Sequence, residues 1–178
     1  MKFVQPIRKT LDFRTAFNIL GPLANPAGAT AQVMGVYSEH LLDSIIETHK
    51  IIGTKQALVL HSNGMDEISI MGATKQRKLR YGKITQMELD TADYSIARAS
   101  IDELKGSDAV TNANIIRDII SGKEKGAKKD IVVINAAAAI IVANIVNDFA
   151  SAIKIAESSI SEGKAKECLE KLLEISNQ

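Results

Sequence analysis

Two adjacent carboxylates, Asp66 and Glu67, point most directly to chemistry in this chain. They follow Asn63-Gly64, a pair typical of tight turns, in the stretch HSNGMDEIS. Hard cations such as Mg²⁺ take oxygen ligands, keep several waters and bridge to the phosphate groups of a substrate. The pair therefore fits a magnesium site for a diphosphate, although adjacent acidic residues at a loop tip are also common as solvated side chains.

Arg8 and Arg14 are the second candidates, one on each side of the segment KTLDF. An arginine can hold a carboxylate through two parallel hydrogen bonds, which a lysine cannot imitate. The alternative is an arginine that lies on the surface or is tied to a helix end.

The segment RTAFNILGPLANP (14–26) follows directly. Its first half is apolar, which predicts burial, whereas Gly21-Pro22 and Asn25-Pro26 interrupt regular structure. We expect a rigid, kinked loop ahead of a strand, because proline restricts the backbone.

Several familiar signatures do not occur in the sequence. It has no G-x-G-x-x-G, no G-x-x-x-x-G-K-[ST], no H-E-x-x-H and no paired cysteine motif. Its three histidines are scattered, and His49 lies on the apolar stripe of a predicted helix, which favours a packed residue over a metal ligand. The lone cysteine, Cys168, fits a reducing compartment.

Composition narrows the class of protein. The 178 residues carry a net charge of +1, which favours neither a nucleic-acid partner nor an anionic membrane. The amino-terminal residues lack the apolar run of a signal peptide. The most apolar window, IVVINAAAAIIVANIV (131–146), is short for a bilayer span and contains Asn135 and Asn144. We therefore predict a cytoplasmic protein, without nucleic acid or membrane partners, in which this window is a buried helix.

The first predicted elements form a βαβ unit. A strand is expected over 30–37, a helix that Ser38 caps and Gly53 ends, and a second strand over 56–62. Such units imply a parallel sheet with both faces covered.

A β-hairpin is predicted next. TKQRKLR (74–80) and KITQMEL (83–89) flank Tyr81-Gly82 like two arms of a hairpin. The first arm carries the densest basic run of the chain, which we interpret as a solvated hairpin edge. This run comprises Lys75, Arg77, Lys78 and Arg80.

From Ser100 onward the pattern is helical. Residues at a spacing of three to four predict a buried face in the apolar window, and a second stripe predicts a helix near the carboxyl terminus. These two sets are Ile131, Ile134, Ala138, Ile141 and Ile145, and Ala165, Cys168, Leu169, Leu172 and Leu173. The predicted fold class is α/β, with a partly parallel sheet, flanking helices, a β-hairpin and carboxyl-terminal helices.

Taken together, three motifs resemble one family. The stretch VQPIRKTLDFRTAFNILGPLANPAGATAQVMGVYSEHLL (4–42), followed by ALVLHSNGMDEIS (57–69), closely resembles the anthranilate phosphoribosyltransferases. The later INAAAAI (134–140) resembles a helix start of the same family and is less specific. These enzymes join anthranilate to phosphoribosyl diphosphate in tryptophan biosynthesis.

The resemblance implies roles for individual residues. Arg8 matches the arginine that contacts the anthranilate carboxylate, and Gly21 with Pro22 matches the rigid turn that lines the anthranilate tunnel. Asp66 and Glu67 match the pair that coordinates Mg²⁺ on the diphosphate. It also implies a remnant of a small helical domain with the interdomain hinge over 1–26, and a phosphoribosyltransferase or nucleoside-phosphorylase-like α/β domain over 27–178.

The chain departs from the family pattern in what it lacks. It covers about the carboxyl-terminal half, and the glycine-rich G-T-G-G-D loop, the K-H-G-N-R segment and the H-H-P motif do not occur. We expect a truncated form with little activity by itself, completed by an amino-terminal half or a homo-oligomeric partner. The alternatives are an inactive or partner-dependent fragment and a relative of pyrimidine nucleoside phosphorylase.

Overall fold

The computed structural model describes residues 17–177, and these form an α/β fold. Two short 3₁₀ turns, Glu39–Leu41 and Thr91–Tyr94, accompany the main elements. In chain order these elements are α1 (Phe17–Leu23), β1 (Ala31–Gly35), α2 (Leu42–Ile51), β2 (Gln56–His61), β3 (Thr74–Arg80), β4 (Lys83–Leu89), α3 (Ile101–Leu104), α4 (Ala109–Ile120), α5 (Ala127–Val142), α6 (Phe149–Ser161) and α7 (Lys164–Ser176).

The four strands form one mixed sheet in the order β1-β2-β3-β4. β1 runs parallel to β2, with Ala31 opposite Gln56 and Gly35 opposite Leu60. β2 with β3 and β3 with β4 are antiparallel. The predicted fold class is therefore confirmed, including the βαβ unit, the hairpin and the helices that follow.

The helix of the βαβ unit, α2, ends as predicted, but its amino-terminal end differs from the prediction. Gly53 has φ 83°, and the amide of Thr54 donates to the carbonyl of His49 at 2.9 Å, which closes the carboxyl end of α2. Ser38 precedes the 3₁₀ turn, but its hydroxyl pairs with the ring of His40 at 2.7 Å and makes no backbone cap. The prediction that Ser38 caps the helix is wrong, because its hydroxyl is hydrogen-bonded to the imidazole of His40 and not to a backbone amide of the helix.

The hairpin matches the predicted arms. Tyr81 and Gly82 have φ values of 47° and 81°, so both central residues adopt the left-handed conformation of a two-residue turn. Gly82 adopts it without the steric penalty that a side chain brings.

The basic strand is not a solvated edge, so that interpretation is wrong. β3 lies between β2 and β4. Lys75 pairs with Glu39 at 2.7 Å and the guanidinium of Arg77 pairs with Asp43, so these cations tie the sheet to α2 and the turn before it. Arg80 donates to Asn144 Oδ1 at 2.8 Å, beyond the end of α5.

Side chains that alternate along the strands fill two apolar clusters, one on each face of the sheet. The first lies against α5 and α6 and contains Leu58, Leu60, Ile68, Ile70, Leu89, Ile134, Ala137, Ala138, Ile141, Val142, Phe149 and Ala152. The second lies against α2 and contains Met34, Val36, Leu42, Ile45, Ile46, Ala57, Val59 and Leu79. His49 is fully buried, which confirms it as a packed residue, and this burial lowers the pKa of its ring.

The later helices follow the predicted pattern in part. α5 buries Ile134, Ala138 and Ile141 as expected. Ile145 is 63% exposed, because Asn144 adopts a positive φ just beyond the helix. α7 forms, but it has no buried residue within the described chain, and Leu172 is 62% exposed. In residues 17–177 we find no helix with the length and apolar character needed to cross a membrane.

Candidate functional site

A loop that begins directly after β2 carries the predicted carboxylate pair, and we call residues 62–68 the carboxylate loop. Asn63 and Gly64 have φ values of 35° and 88°, as expected for a tight turn. The backbones of Ser62 and Met65 close this turn with two hydrogen bonds, of 3.0 and 2.6 Å. The hydrogen-bonded turn therefore connects Asp66 and Glu67 closely to the carboxyl end of β2.

The carboxylate loop combines exposed charges with a buried frame. Asp66 and Glu67 are exposed, whereas Ser62 before them is 1% exposed and Ile68 after them is fully buried. The hydroxyl of Ser62 donates to the carbonyl of Ala73 at 3.1 Å. The two charges are thus open to a ligand, while the backbone that carries them is held by the protein interior.

Electrostatics at the pair favour a cation. Burial of its carboxyl group raises the pKa of Glu67, and the negative charge of Asp66 raises that pKa further. The burial effect is modest, since the residue as a whole is exposed at the surface. A bound cation would remove the repulsion between the two carboxylates.

The donor set fits part of a magnesium shell. Over residues 17–177 no cluster of three or more His, Cys, Asp or Glu side chains is arranged to hold a metal ion. Two carboxylates alone suit an ion that keeps several waters and takes its other oxygens from substrate phosphates, which is the usual behaviour of Mg²⁺. Asp66 and Glu67 would hold such an ion.

Gly35 brings the carboxylate loop onto the end of β1. A Cβ atom built on Gly35 would lie 1.5 Å from the carbonyl oxygen of Asp66 and 2.3 Å from its carbonyl carbon. The backbone of Asp66 therefore passes over the carboxyl end of β1 at a distance that only glycine allows. In open α/β sheets this edge is where ligands bind. Sequence reasoning missed Gly35, although an isolated glycine in a strand signals such an approach.

Asn135 of α5 holds the other end of the pair. Its Oδ1 accepts from the amide of Ile68 at 2.9 Å, and its Nδ2 donates to the carbonyl of Ile68 at 2.9 Å. Nδ2 also donates to the carbonyl of Ile131 at 2.9 Å. This residue was missed as well; its signal was a single amide within an apolar stretch of the helix, residues 131–142.

Gly21 and Pro22 lie in the last turn of α1, so the expectation of a rigid, kinked turn at these two residues is wrong. The amide of Ala24 donates to Leu20 O at 2.9 Å, so the helical pattern continues past Pro22. Pro22 has no amide hydrogen to donate, and the helix continues for one more residue, to Leu23. The chain leaves helical structure later, at Asn25, whose Oδ1 accepts from the amide of Ala27 at 3.0 Å.

The structure does not bring Gly21 and Pro22 together with the carboxylate pair. The side-chain amide of Gln32, near the start of β1, donates to Pro22 O at 3.5 Å, and a cavity of about 250 Å³ separates this segment from Gly53 and Thr54. The pair lies at the opposite end of β1, a five-residue strand that spans about 15 Å. Arg8 and Arg14 lie outside the described residues.

Comparisons with known proteins agree with this fold. Residues 1–166 match the glycosyl transferase family, a/b domain. The chain is 43% identical over 176 residues to the anthranilate phosphoribosyltransferase of Methanocorpusculum labreanum, covering 99% of this chain and 52% of that protein. It is 40% identical to the enzyme of the same name from Rubrobacter xylanophilus, again covering 52% of that protein.

Solved structures give the same result. The anthranilate phosphoribosyltransferase of Thermus thermophilus aligns with a TM-score of 0.85 and 34% identity, covering 96% of this chain and 50% of that one. The Saccharomyces cerevisiae enzyme in complex with PRPP and Mg aligns with a TM-score of 0.86 and 25% identity, covering 96% of this chain and 49% of that one.

The chain spans about half the length of the curated relatives that it matches. The match to the family nevertheless extends over most of the chain, from the first residue through α6. On this basis the chain belongs to the glycosyl transferase family, a/b domain.

Proposed function

We propose that this chain supplies the metal–diphosphate subsite of an anthranilate phosphoribosyltransferase. The observation that carries the proposal is the carboxylate loop, where two exposed carboxylates stand on a backbone held by Gly35 and Asn135. Its place at the carboxyl end of parallel strands agrees with the sites of other open α/β sheets. The Saccharomyces cerevisiae relative has been solved with PRPP and Mg, which supports the same chemistry here.

In the proposed reaction the anthranilate nitrogen forms a bond to C1 of the ribose, the bond from C1 to the diphosphate oxygen breaks, and the nitrogen releases one proton to solvent. Asp66 and Glu67 would hold Mg²⁺ at the diphosphate, and the ion, when bound, would neutralise charge on that leaving group. Their exposure leaves the pair open to a large anionic substrate. Because the loop backbone is already ordered, little reorganisation is needed when the substrate arrives.

The acceptor side of the site involves residues at the amino-terminal end. We propose that Arg8 pairs with the anthranilate carboxylate and that Gly21 and Pro22 form part of the wall around the ring. Pro22 is exposed at the last turn of α1, which leaves it accessible to such a substrate. The names of the relatives favour anthranilate over a pyrimidine nucleoside as the acceptor. The site belongs to a biosynthetic enzyme, and we propose that it acts in the cytoplasm.

The activity requires more than the described residues supply. No glycine-rich diphosphate loop occurs in the sequence, so we propose that an amino-terminal half completes the site. The test combines this chain with the corresponding amino-terminal half of the Methanocorpusculum labreanum relative and follows the loss of anthranilate fluorescence with phosphoribosyl diphosphate and Mg²⁺. We expect turnover from the mixture and little from either part.

A charge-matched control makes this test specific. The double variant Asp66→Asn, Glu67→Gln should abolish the turnover, whereas Glu47→Gln, Glu88→Gln removes two exposed carboxylates elsewhere and should retain it. Equal activity of the two double variants would overturn the proposed role of the carboxylate loop.

A further inference from the structure

The Asp66–Glu67 segment is fixed at both ends by contacts from two different elements. On one side, the backbone of Asp66 passes over Gly35, so closely that a Cβ atom there would lie 1.5 Å from its carbonyl oxygen. On the other side, Ile68 exchanges two hydrogen bonds of 2.9 Å with the amide of Asn135. Only Glu67 lies between these two restraints.

The two restraints are of different kinds. Gly35 acts by shape, since any side chain at this position would displace the carbonyl of Asp66 away from β1. Asn135 acts by hydrogen bonding, because one side-chain amide satisfies both the N–H and the C=O of the fully buried Ile68. The third bond of Asn135, to Ile131 O, fixes the orientation of this amide on its own helix.

We infer that Gly35 and Asn135 are positioning residues that set where the Asp66 and Glu67 carboxylates stand relative to the sheet. The inference rests on the proposed function for the metal that the pair would hold. Metal ligands must be held to within about 0.5 Å, and the residues that orient them typically change metal affinity by about 10- to 100-fold when replaced. In this proposal neither Gly35 nor Asn135 contacts the metal.

The test titrates Mn²⁺, a stand-in for Mg²⁺ at oxygen sites, into the purified chain and follows free Mn²⁺ by its paramagnetic resonance. Gly35→Ala and Asn135→Ala should each weaken Mn²⁺ binding by about 10-fold or more. Hydrogen exchange of the Ile68 amide gives a readout without metal. We expect this amide to exchange at least about 10-fold faster in Asn135→Ala, since its acceptor is removed.

Two control variants separate positioning from a general loss of stability. Gly72→Ala lies later in the same connection, and its Cβ would meet only Asn63 Nδ2 at 3.4 Å, an ordinary contact. Ile46→Val removes one buried methylene from the cluster on the opposite face of the sheet. Both controls should bind Mn²⁺ like the original chain at a temperature where all the variants are folded.

The results of these measurements decide whether Gly35 and Asn135 position the carboxylate loop. If Gly35→Ala does not fold, Asn135→Ala decides the inference by the same two readouts. Mn²⁺ affinity and Ile68 exchange that match the original chain in the folded variants would overturn the inference. If the original chain does not bind Mn²⁺, the carboxylate pair does not hold an ion without substrate oxygens, and exchange of the Ile68 amide alone then decides whether Asn135 fixes the carboxylate loop.

Discussion

The two regions expected to meet substrate differ in how the protein holds them. The carboxylate loop is fixed by backbone hydrogen bonds across its turn, by the close approach to Gly35 and by the side chain of Asn135. The Gly21–Pro22 turn of α1 is exposed, and among residues 17–177 its side-chain hydrogen bond is the 3.5 Å bond from Gln32 to Pro22 O. The proposed metal side of the site is thus held by several contacts within residues 17–177, whereas the proposed acceptor wall receives one side-chain hydrogen bond from the same residues.

The two regions also lie apart in the fold. The wall at Gly21 and Pro22 lies at the other end of β1, and the arginine expected beside it, Arg8, lies outside the described residues. We therefore expect substitutions in the two regions to affect the isolated chain very differently.

The largest difference should come from the same substitution at two glycines. Gly35→Ala forces the Asp66 backbone to move and should lower the free energy of unfolding by about 3 kcal/mol. Gly21→Ala has nothing within 4 Å of the new methyl group and lies in a helix, so stability should rise by about 0.5–1 kcal/mol. Urea unfolding of both variants measures these changes, and a loss of equal size at the two positions would contradict the difference between the two regions.

Asn135→Ala should have the next largest effect. It leaves the N–H and C=O of the buried Ile68 without their partner, which costs about 1–3 kcal/mol. Thermal unfolding of the variant measures the loss. An unchanged transition would mean that these groups find other partners, and the carboxylate loop would then be less firmly held than the structure indicates.

Pro22→Ala tests the Gly21–Pro22 turn of α1 itself. Proline in a helix lacks the amide hydrogen and disfavours the helical conformation, so alanine should leave stability unchanged or raise it by about 1 kcal/mol. If stability falls clearly in thermal unfolding, Pro22 makes contacts that its exposure does not reveal, and this turn is more rigid than we propose.

The smallest effect concerns pH. The pKa of Glu67 is raised in the folded chain, so folding takes up protons between the ordinary value of 4.5 and the raised value. The stability that this group contributes is fully present below pH 4.5 and is lost as pH rises through the folded pKa. Glu67→Gln should therefore gain stability relative to the original chain as pH rises above about 4.5, in unfolding curves without metal. A difference that does not change with pH would contradict the burial and repulsion described at the pair.

Sequence patterns predicted the local elements well, because their signals are local. The hairpin strands over 74–80 and 83–89 and the turn at Asn63-Gly64 depend on residues that are neighbours in the chain. The carboxylate pair was found in the same way, as two adjacent residues after a buried strand.

Contacts between distant residues could not be predicted. Gly35 and Asp66 are far apart in sequence, and no local sequence pattern identifies Asp66 as the residue whose backbone contacts Gly35. The partner of Arg77 is Asp43 on α2, which a reading of the hairpin alone could not identify. The prediction of a kink at Pro22 was wrong for a different reason. Its signal was local, since proline disfavours helical structure, but the helix continues through Pro22.

The assignment of the carboxylate loop is tested most sharply by calorimetric titration of phosphoribosyl diphosphate with Mg²⁺ into the purified chain and into Asp66→Asn, Glu67→Gln, each mixed with the amino-terminal half of the Methanocorpusculum labreanum relative. We expect saturable heat that requires Mg²⁺ with the original chain and is lost with the double variant, while the charge-matched control Glu47→Gln, Glu88→Gln keeps it. Binding that is the same in all three proteins, or that does not depend on Mg²⁺, would contradict the assignment of the carboxylate loop as the metal–diphosphate subsite.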